Sequence, residues 1–446
     1  IRIIKFKFEN KVVIKKKNDF NIYKQQDKKI FFLNNIKDKF LYYITGVIDK
    51  PLSFFAIRFN KIIIESFYFS KLNLLKLFLK LSIFPSFYQN FFDERKFKNE
   101  KKLDKKNREI FFSYQKEIES DFEKYLFHAM KNDFPTSYFE KFKDIDQHNS
   151  AINNINKKMI FTMTSHIGNE RFKIWLARMN LNGSKIYVAE HGGFLKFKIN
   201  GFFEHELKIC EKFLIWQKSE HKKEVQMSPV QLLSVKKLKQ NNPKSLLILN
   251  CETVKYPIKI QSWPYAEQYK IGFNEICDFV KKLDPEIYKN VIYRSNNFGY
   301  DTSAQFKKKF KNLKTHDLTS TKMYDDFRNS KMIICNYPDT PFTEAIVSNI
   351  PTIGIFSKNL YQISDKAHGI LEELKQNNIF FENSTEASNH INKVWSNPYE
   401  WWNASTTQEA VKNLSNYAFN LRNDWIFEWS NFINKEKQLF NLKKDN

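Results

Sequence analysis

Between Lys331 and Phe356 the chain reads KMIICNYPDTPFTEAIVSNIPTIGIF, and its apolar and polar positions change rhythm three times. Met332 to Cys335 are a short unbroken apolar run, the pattern of a parallel strand covered on both faces. Asn336 to Asp339 form a polar turn at its carboxyl end. Thr340 stands where an N-cap belongs and Pro341 at the first helical position, which predicts a helix whose free backbone N–H groups face back over the strand ends. A second buried strand follows in PTIGIF.

The same rhythm recurs on either side. From Lys158, MIFTMT is strand-like, ERFKIWLARMNLNG carries apolar residues at helical spacing up to Gly183, and SKIYVAE is strand-like again, a β-α-β unit. Residues 218 to 244 are polar, hold Pro229 and Pro243, and read as a linker, with a domain boundary near 225. Beyond it come a strand over 245 to 251, a helix around Tyr269 to Lys282, a strand from Val291 to Arg294 and a helix around Ala304 to Lys311. Strict alternation predicts a parallel sheet with right-handed crossovers, a second Rossmann-like domain. Thr406 to Phe440 follow as one uninterrupted helical pattern. The expected organisation is a first α/β domain over 1–225, a second over 226–400 and a helical tail over 401–446 packing across both.

Three stretches fit less simply. Leu72 to Phe87 is very apolar but is interrupted by Lys76, Lys80 and Pro85, too short for a membrane span, so a core-facing amphipathic helix is expected, with a membrane-surface role as the alternative. Residues 94 to 110 are dense in charge and read as an exposed helix or loop. The opening IRIIKFKFENKVVIKKK alternates like a strand rather than a signal sequence, and Ile1 suggests a truncated start.

Composition narrows the class. A chain of 446 residues is long enough for two cores, and 42% hydrophobic residues with 45 phenylalanines exclude general disorder. Cys210, Cys251, Cys277 and Cys335 lack metal-site spacing and read as reduced core residues, which points to the cytosol. The formal charge of +24 invites a nucleic-acid reading, but the lysines are scattered along solvated faces and no nucleic-acid motif accompanies them. A basic surface also attracts an anionic membrane leaflet and acidic sugar or nucleotide substrates. No Walker A sequence, GxSxG elbow, HExxH helix or CxxC pair appears, and neither a cofactor nor a metal is expected.

The chemistry-bearing residues lie where strands hand over to helices. Glu190, His191, Gly192 and Gly193 follow a buried strand directly; glycines admit close backbone approach, histidine can serve as a base, and glutamate can orient it. A tight turn with a solvated histidine would look the same. Thr340, Thr343 and Glu344 line the start of the predicted helix, the threonines toward a phosphate and the glutamate toward a sugar hydroxyl or base. Arg294 ends its strand, and its guanidinium is expected beside the Thr340 helix, paired either with a ligand or with a structural carboxylate. His166, Asn169 and Glu170 occupy the matching turn of the first domain, where simple capping is the plainer account. Glu204 and Glu206 could reach a cleft, though a helical face explains both.

Taken together, EHGGF, EKFLIWQ, VIYR, DTPFTEAIVSNIPTIGIF, STEASNHINKVW and YEWW resemble the LIC-type family of bacterial transferases first recognised in Leptospira, found in surface-carbohydrate loci and akin to GT-B glycosyltransferases. The resemblance covers about residues 160 to 430. It implies two Rossmann-like domains facing a cleft. The activity implied is metal-independent transfer of a sugar from a nucleotide donor, CMP-linked ulosonic or nonulosonic acids being favoured, to a hydroxyl of a glycan or glycoprotein. By the same resemblance His191 or Glu190 would activate the acceptor or position the donor. Gly192, Gly193, Arg294, Thr340, Thr343 and Glu344 would bind the donor, with His166, Asn169, Glu170 and Glu204 on the acceptor side. Glu190 replaces the family's usual Gln and Gln217 its usual Gly, which bears on the acceptor side and on activity itself. A GT-B epimerase or hydrolase, or a noncatalytic nucleotide-binding paralogue, are the alternatives.

Overall fold

The computed structural model describes residues 51–86, 103–113, 120–153, 158–193, 197, 202–250, 252, 264, 267–295, 299–317 and 320–442. The strand expected at the start of the chain, part of the charged stretch 94–110, Phe194 and Cys251 lie outside the described residues. The chain divides into two compact units, Ile1–Phe67 with Ile83–Lys185, and Tyr68–Ser82 with Ile186–Asn446.

In the first unit, strand β1 (Ile62–Glu65) pairs in parallel with β2 (Met159–Thr162), and every residue of both is buried. A short turn of helix, Ser165–Gly168, leads from β2 to the helix Glu170–Leu181. Asn169 caps that helix by accepting from the Phe172 N–H at 2.8 Å, and Gly183, at φ 84°, takes the left-handed conformation just past its end. Its inner face buries Phe172, Ile174, Trp175 and Met179, as the helical spacing predicted.

In the second unit, β3 (Lys185–Ala189), β4 (Lys212–Ile215) and β5 (Glu224–Gln226) form a parallel ladder. β5 lies inside the stretch expected to be a linker. Val225 pairs with Leu214, and Met227, Val230, Leu232 and Val235 are buried, so these residues belong to a core that their polar neighbours obscured in sequence.

The larger sheet has six parallel strands in the order β11-β10-β9-β6-β7-β8. They are β6 (Ser245–Asn250), β7 (Val291–Ser295), β8 (Lys314–His316), β9 (Ser330–Cys335), β10 (Thr352–Ile355) and β11 (Phe380–Phe381). Leu246, Ile248, Tyr293, Met332, Ile334, Ile353 and Ile355 pack in one cluster with Phe273, Ile276 and Val280 of the helix Glu267–Lys281 and with Ala387 and Ile391 of the helix Ser384–Val394. Leu247, Leu249, Ile333 and Cys335, on the alternate positions, are equally buried, which is why β6 and β9 read as continuous apolar runs. β6 and β9 are neighbours, and strand order runs outward from them in both directions. The crevice at their carboxyl ends is therefore the point where open α/β sheets take ligands.

The tail is two helices, Ser405–Ala418 and Trp425–Leu442, where one was expected. Phe419 is extended, the Asn420 N–H donates to the Trp216 carbonyl at 3.2 Å and the Arg422 N–H to Ser228 Oγ at 2.9 Å. Hydrogen bonds to a distant segment thus stop a helix that local propensity would continue. Beyond the break, Trp429 packs edge-on against Phe69, with ring centroids 5.1 Å apart, and donates its indole N–H to the Ser228 carbonyl.

Candidate functional site

The motif residues meet in the second unit, at the ends of β3 and β9. Glu190 extends the β3 ladder by one residue, its N–H donating to the Leu214 carbonyl at 2.8 Å. Its carboxylate then turns back into the protein. Oε2 accepts from the Trp216 N–H at 3.0 Å and Oε1 from Gln217 Nε2 at 3.1 Å, and Gln217 also donates to the Ala418 carbonyl. The Trp216 indole donates to the Gly192 carbonyl at 2.7 Å. Glu190, only 3% exposed, therefore fixes the turn from behind. Glu190 and Gln217 thus answer each other: a carboxylate that accepts is matched by a glutamine amide that donates.

His191, Gly192 and Gly193 lie across the start of the helix Thr340–Val347. His191 is exposed and the glycines partly so. The Gly193 N–H donates to Thr340 Oγ1 at 3.2 Å, joining segments 147 residues apart. A Cβ on Gly193 would lie 2.4 Å from Thr343 Oγ1, and one on Gly192 would lie 2.9 Å from Thr340 Oγ1. Glycine is needed at both places because the backbone itself touches the helix. Thr343 Oγ1 is buried without a hydrogen-bond partner among the described residues.

Three expectations are corrected at this helix. The N-cap is Asp339, not Thr340. Asp339 Oδ1 accepts from the Thr340 N–H at 2.6 Å and from Thr340 Oγ1 at 3.0 Å, while its carbonyl accepts from the N–H groups of Phe342 and Thr343. With Pro341 contributing no donor, the N–H groups expected to be free are already engaged, and a carboxylate stands at the helix start. An Asp directly before Thr-Pro offered this cap in sequence, one residue earlier than the threonine. Glu344, second, is buried rather than presented: its Oε1 accepts from the Tyr324 hydroxyl at 2.9 Å. Burial pushes its carboxyl up to about 7, the Tyr324 hydrogen bond pulling only partly the other way.

Third, Arg294 does not lie beside the helix. It is on β7, and β6 stands between β7 and β9. Its guanidinium is 2.6 Å from Asp326 Oδ2 and 2.6 Å from Thr321 Oγ1, and it also donates to the Thr321 carbonyl at 3.0 Å. Asp326 further meets His316 Nδ1 at 2.9 Å. This is the structural pairing that the sequence left open.

The remaining candidates are dispersed. His166 is buried in the turn after β2, and Asn169 is a helix cap. Glu170 accepts from Lys173 Nζ at 2.7 Å and from the Tyr138 hydroxyl. All three belong to the first unit. On the helix Phe202–Ile209, Glu204 is exposed and Glu206 buried, as a helical face requires.

Sequence reasoning missed Glu252, just past β6. Its buried carboxylate accepts from the hydroxyls of Ser295 and Thr302 and from the N–H groups of Gly299, Tyr300, Asp301 and Thr302. Burial raises its pKa, but those donors together hold it below the ordinary carboxylate value. The loop that delivers these donors, and the start of the helix Thr302–Lys309, are thereby filled by the protein's own anion. At the crevice between β6 and β9, the side chains of Asn250 and Asn336 are hydrogen-bonded to each other, and the Tyr361 hydroxyl donates to the Asn336 carbonyl.

Several solved structures are similar in outline. MurG from Acinetobacter baumannii is 13% identical, with 68% of this chain and 79% of that one covered and a TM-score of 0.36. MnaA from S. aureus, solved with UDP, is 9% identical over 85% of this chain and 96% of that one, with a TM-score of 0.44. The wall teichoic acid polymerase TagF, soaked with CDPG, is 10% identical over 67% and 85%, with a TM-score of 0.36. Likeness at that level does not extend to ligands. No curated protein matches the sequence. The model of the LIC12162 family transferase matches residues 1–433, and the chain belongs to that family.

Proposed function

We propose that this transferase is a GT-B-type glycosyltransferase that moves a sugar from a nucleotide donor to a hydroxyl of a surface glycan or glycoprotein. The observation that carries the reading is the contact of the His191-Gly192-Gly193 turn with the Thr340 helix at the carboxyl ends of parallel strands. It joins the two most distinctive motifs of a transferase family across most of the second unit. The donor phosphate lies along the glycine turn, and Thr343 supplies a hydroxyl. Thr340 and Asp339 hold the turn in register, and Glu344 supports the donor end from beneath. His191, the exposed titratable group of the turn, takes the acceptor's proton as the new glycosidic bond forms and the bond to the departing phosphate breaks. Glu190 orients the turn through Trp216 and Gln217. A CMP-linked acidic sugar is the favoured donor, consistent with the basic balance of the chain. The enzyme works in the cytoplasm, with peripheral contact to an anionic membrane.

Thermal shift against CMP, UDP, GDP, ADP and short RNA at fixed ionic strength tests this. A nucleotide at 100 times its dissociation constant adds about 2.7 kcal/mol of stability. CMP is expected to stabilise the wild type, with the shift lost in Gly193→Ala and kept in His191→Ala, which instead loses transfer. A shift by RNA alone would sink the proposal.

A further inference from the structure

The helical residues 51–59, PLSFFAIRF, turn three phenylalanine rings outward. Ser53, Ala56, Ile57 and Asn60 point inward and are buried, at the spacing of one helical face. Phe54, Phe55, Arg58 and Phe59 point outward, the phenylalanines 52%, 44% and 59% exposed. The inward polar residues have partners: Ser53 Oγ lies 2.9 Å from Ser86 Oγ, and the Asn60 side chain exchanges two hydrogen bonds with the backbone of Phe84, at 2.9 and 3.0 Å. That exchange holds Phe84, 48% exposed, against the same rings, with centroids 6.4 Å from Phe55 and 6.2 Å from Phe59. Phe55 and Phe59 stack at 6.0 Å. The result is one contiguous aromatic patch rather than scattered apolar residues, and a patch of that kind marks a contact surface.

Charge selects the occupant. Arg58 and Lys61 border the patch, both exposed, and no Asp or Glu occurs from Pro51 to Ile64. The acids that flank this stretch in sequence are Asp49 and Glu65, and Glu65 is buried. We propose that this patch of the first unit docks on an anionic membrane surface, the phenylalanines entering the interface and Arg58 and Lys61 meeting lipid phosphates. No helix among the described residues is long and apolar enough to cross a membrane, so the contact is interfacial. The inference deepens the peripheral contact of the preceding section, but it needs neither a donor nor a transfer step.

Flotation of the full chain with vesicles of neutral phosphatidylcholine, and with 30% phosphatidylglycerol added, tests it. The wild type is expected to float with the anionic vesicles and far less with the neutral ones. Phe54→Ser/Phe55→Ser/Phe59→Ser should cut that partition by roughly tenfold or more. Arg58→Glu/Lys61→Glu should abolish the preference for anionic vesicles. Equal flotation of wild type and the phenylalanine variant overturns the proposal. So does a loss of self-association in that variant without loss of flotation, which would assign the patch to a second copy. The nucleotide-induced thermal shift, measured on the same variants, should be unchanged. Its absence in every variant and in the wild type would fault the donor reading and leave this one standing.

Discussion

Arg294 donates three hydrogen bonds to Asp326 and Thr321, and that commitment decides what its removal does. Taking one partner from a buried ion pair leaves the other charged and unsolvated, at a cost of about 3–5 kcal/mol. Arg294→Ala should therefore unfold at markedly lower denaturant, while the fraction still folded binds nucleotide as tightly as the wild type, which calorimetry below the unfolding transition would measure. A loss of affinity without a loss of stability would return Arg294 to the donor site. Its sequence context was accurate as far as it went: a strand-end arginine was read correctly as a strand-end arginine. What VIYR could not convey is that Asp326, 32 residues on, arrives beside it, because that pairing depends on sheet order. Glu190 teaches the same limit. The Gln217 amide and Trp216 N–H that occupy its carboxylate are set by the register of β4, and nothing local in EHGGF reveals them.

Two acidic residues near element ends respond to pH in opposite directions. Glu252 is held below its ordinary pKa by the donors around the loop after β7, so its contribution is present above the pKa of the unfolded chain and is lost as pH falls through the folded value. Glu344 is raised to about 7, so the cost of ionising it in the buried first turn of its helix is absent in acid, grows above the ordinary carboxylate pKa, and is complete beyond about 7. A shift of that size corresponds to roughly 3 kcal/mol. Glu344→Gln is expected to raise the melting temperature at about pH 8 and leave it nearly unchanged at about pH 4.5. Glu252→Gln should lower it at both, since the amide cannot accept all the donors that the carboxylate satisfies. Melting curves across that range check the pair; parallel curves for Glu344→Gln and wild type would refute the first half. At this scale the sequence was most legible. Four of the six strands of the larger sheet, the Gly183 helix stop and the strand-turn-helix at 331–356 follow from apolar period and turn chemistry, whereas the short edge strands β8 and β11, of three and two residues, carry no such period. The linker at 218–244 and the single tail helix failed where a few tertiary hydrogen bonds overrode local pattern.

Across the second unit as a whole, the tail is part of the core. Trp429 is fully buried against Phe69 and near Trp216, the residue that also anchors the glycine turn. Trp429→Ala should cost about 3–5 kcal/mol and weaken nucleotide binding only through the loss of folded protein; urea titration beside a binding isotherm separates the two. The helix that carries Trp429 also meets β3 at Tyr187, whose ring packs edge-on against Phe432 and whose hydroxyl donates to Glu436 across 249 residues of chain. On the ribosome that separation becomes time. At about 5–20 residues per second, Glu436 is made some ten to fifty seconds after Tyr187, and until then the Tyr187 side chain has neither of these partners. A nascent chain of this protein must hold Tyr187 without its Glu436 partner over the intervening 249 residues, beyond the point at which the Thr340–Val347 helix is made, so a chaperone's help would count most in that interval.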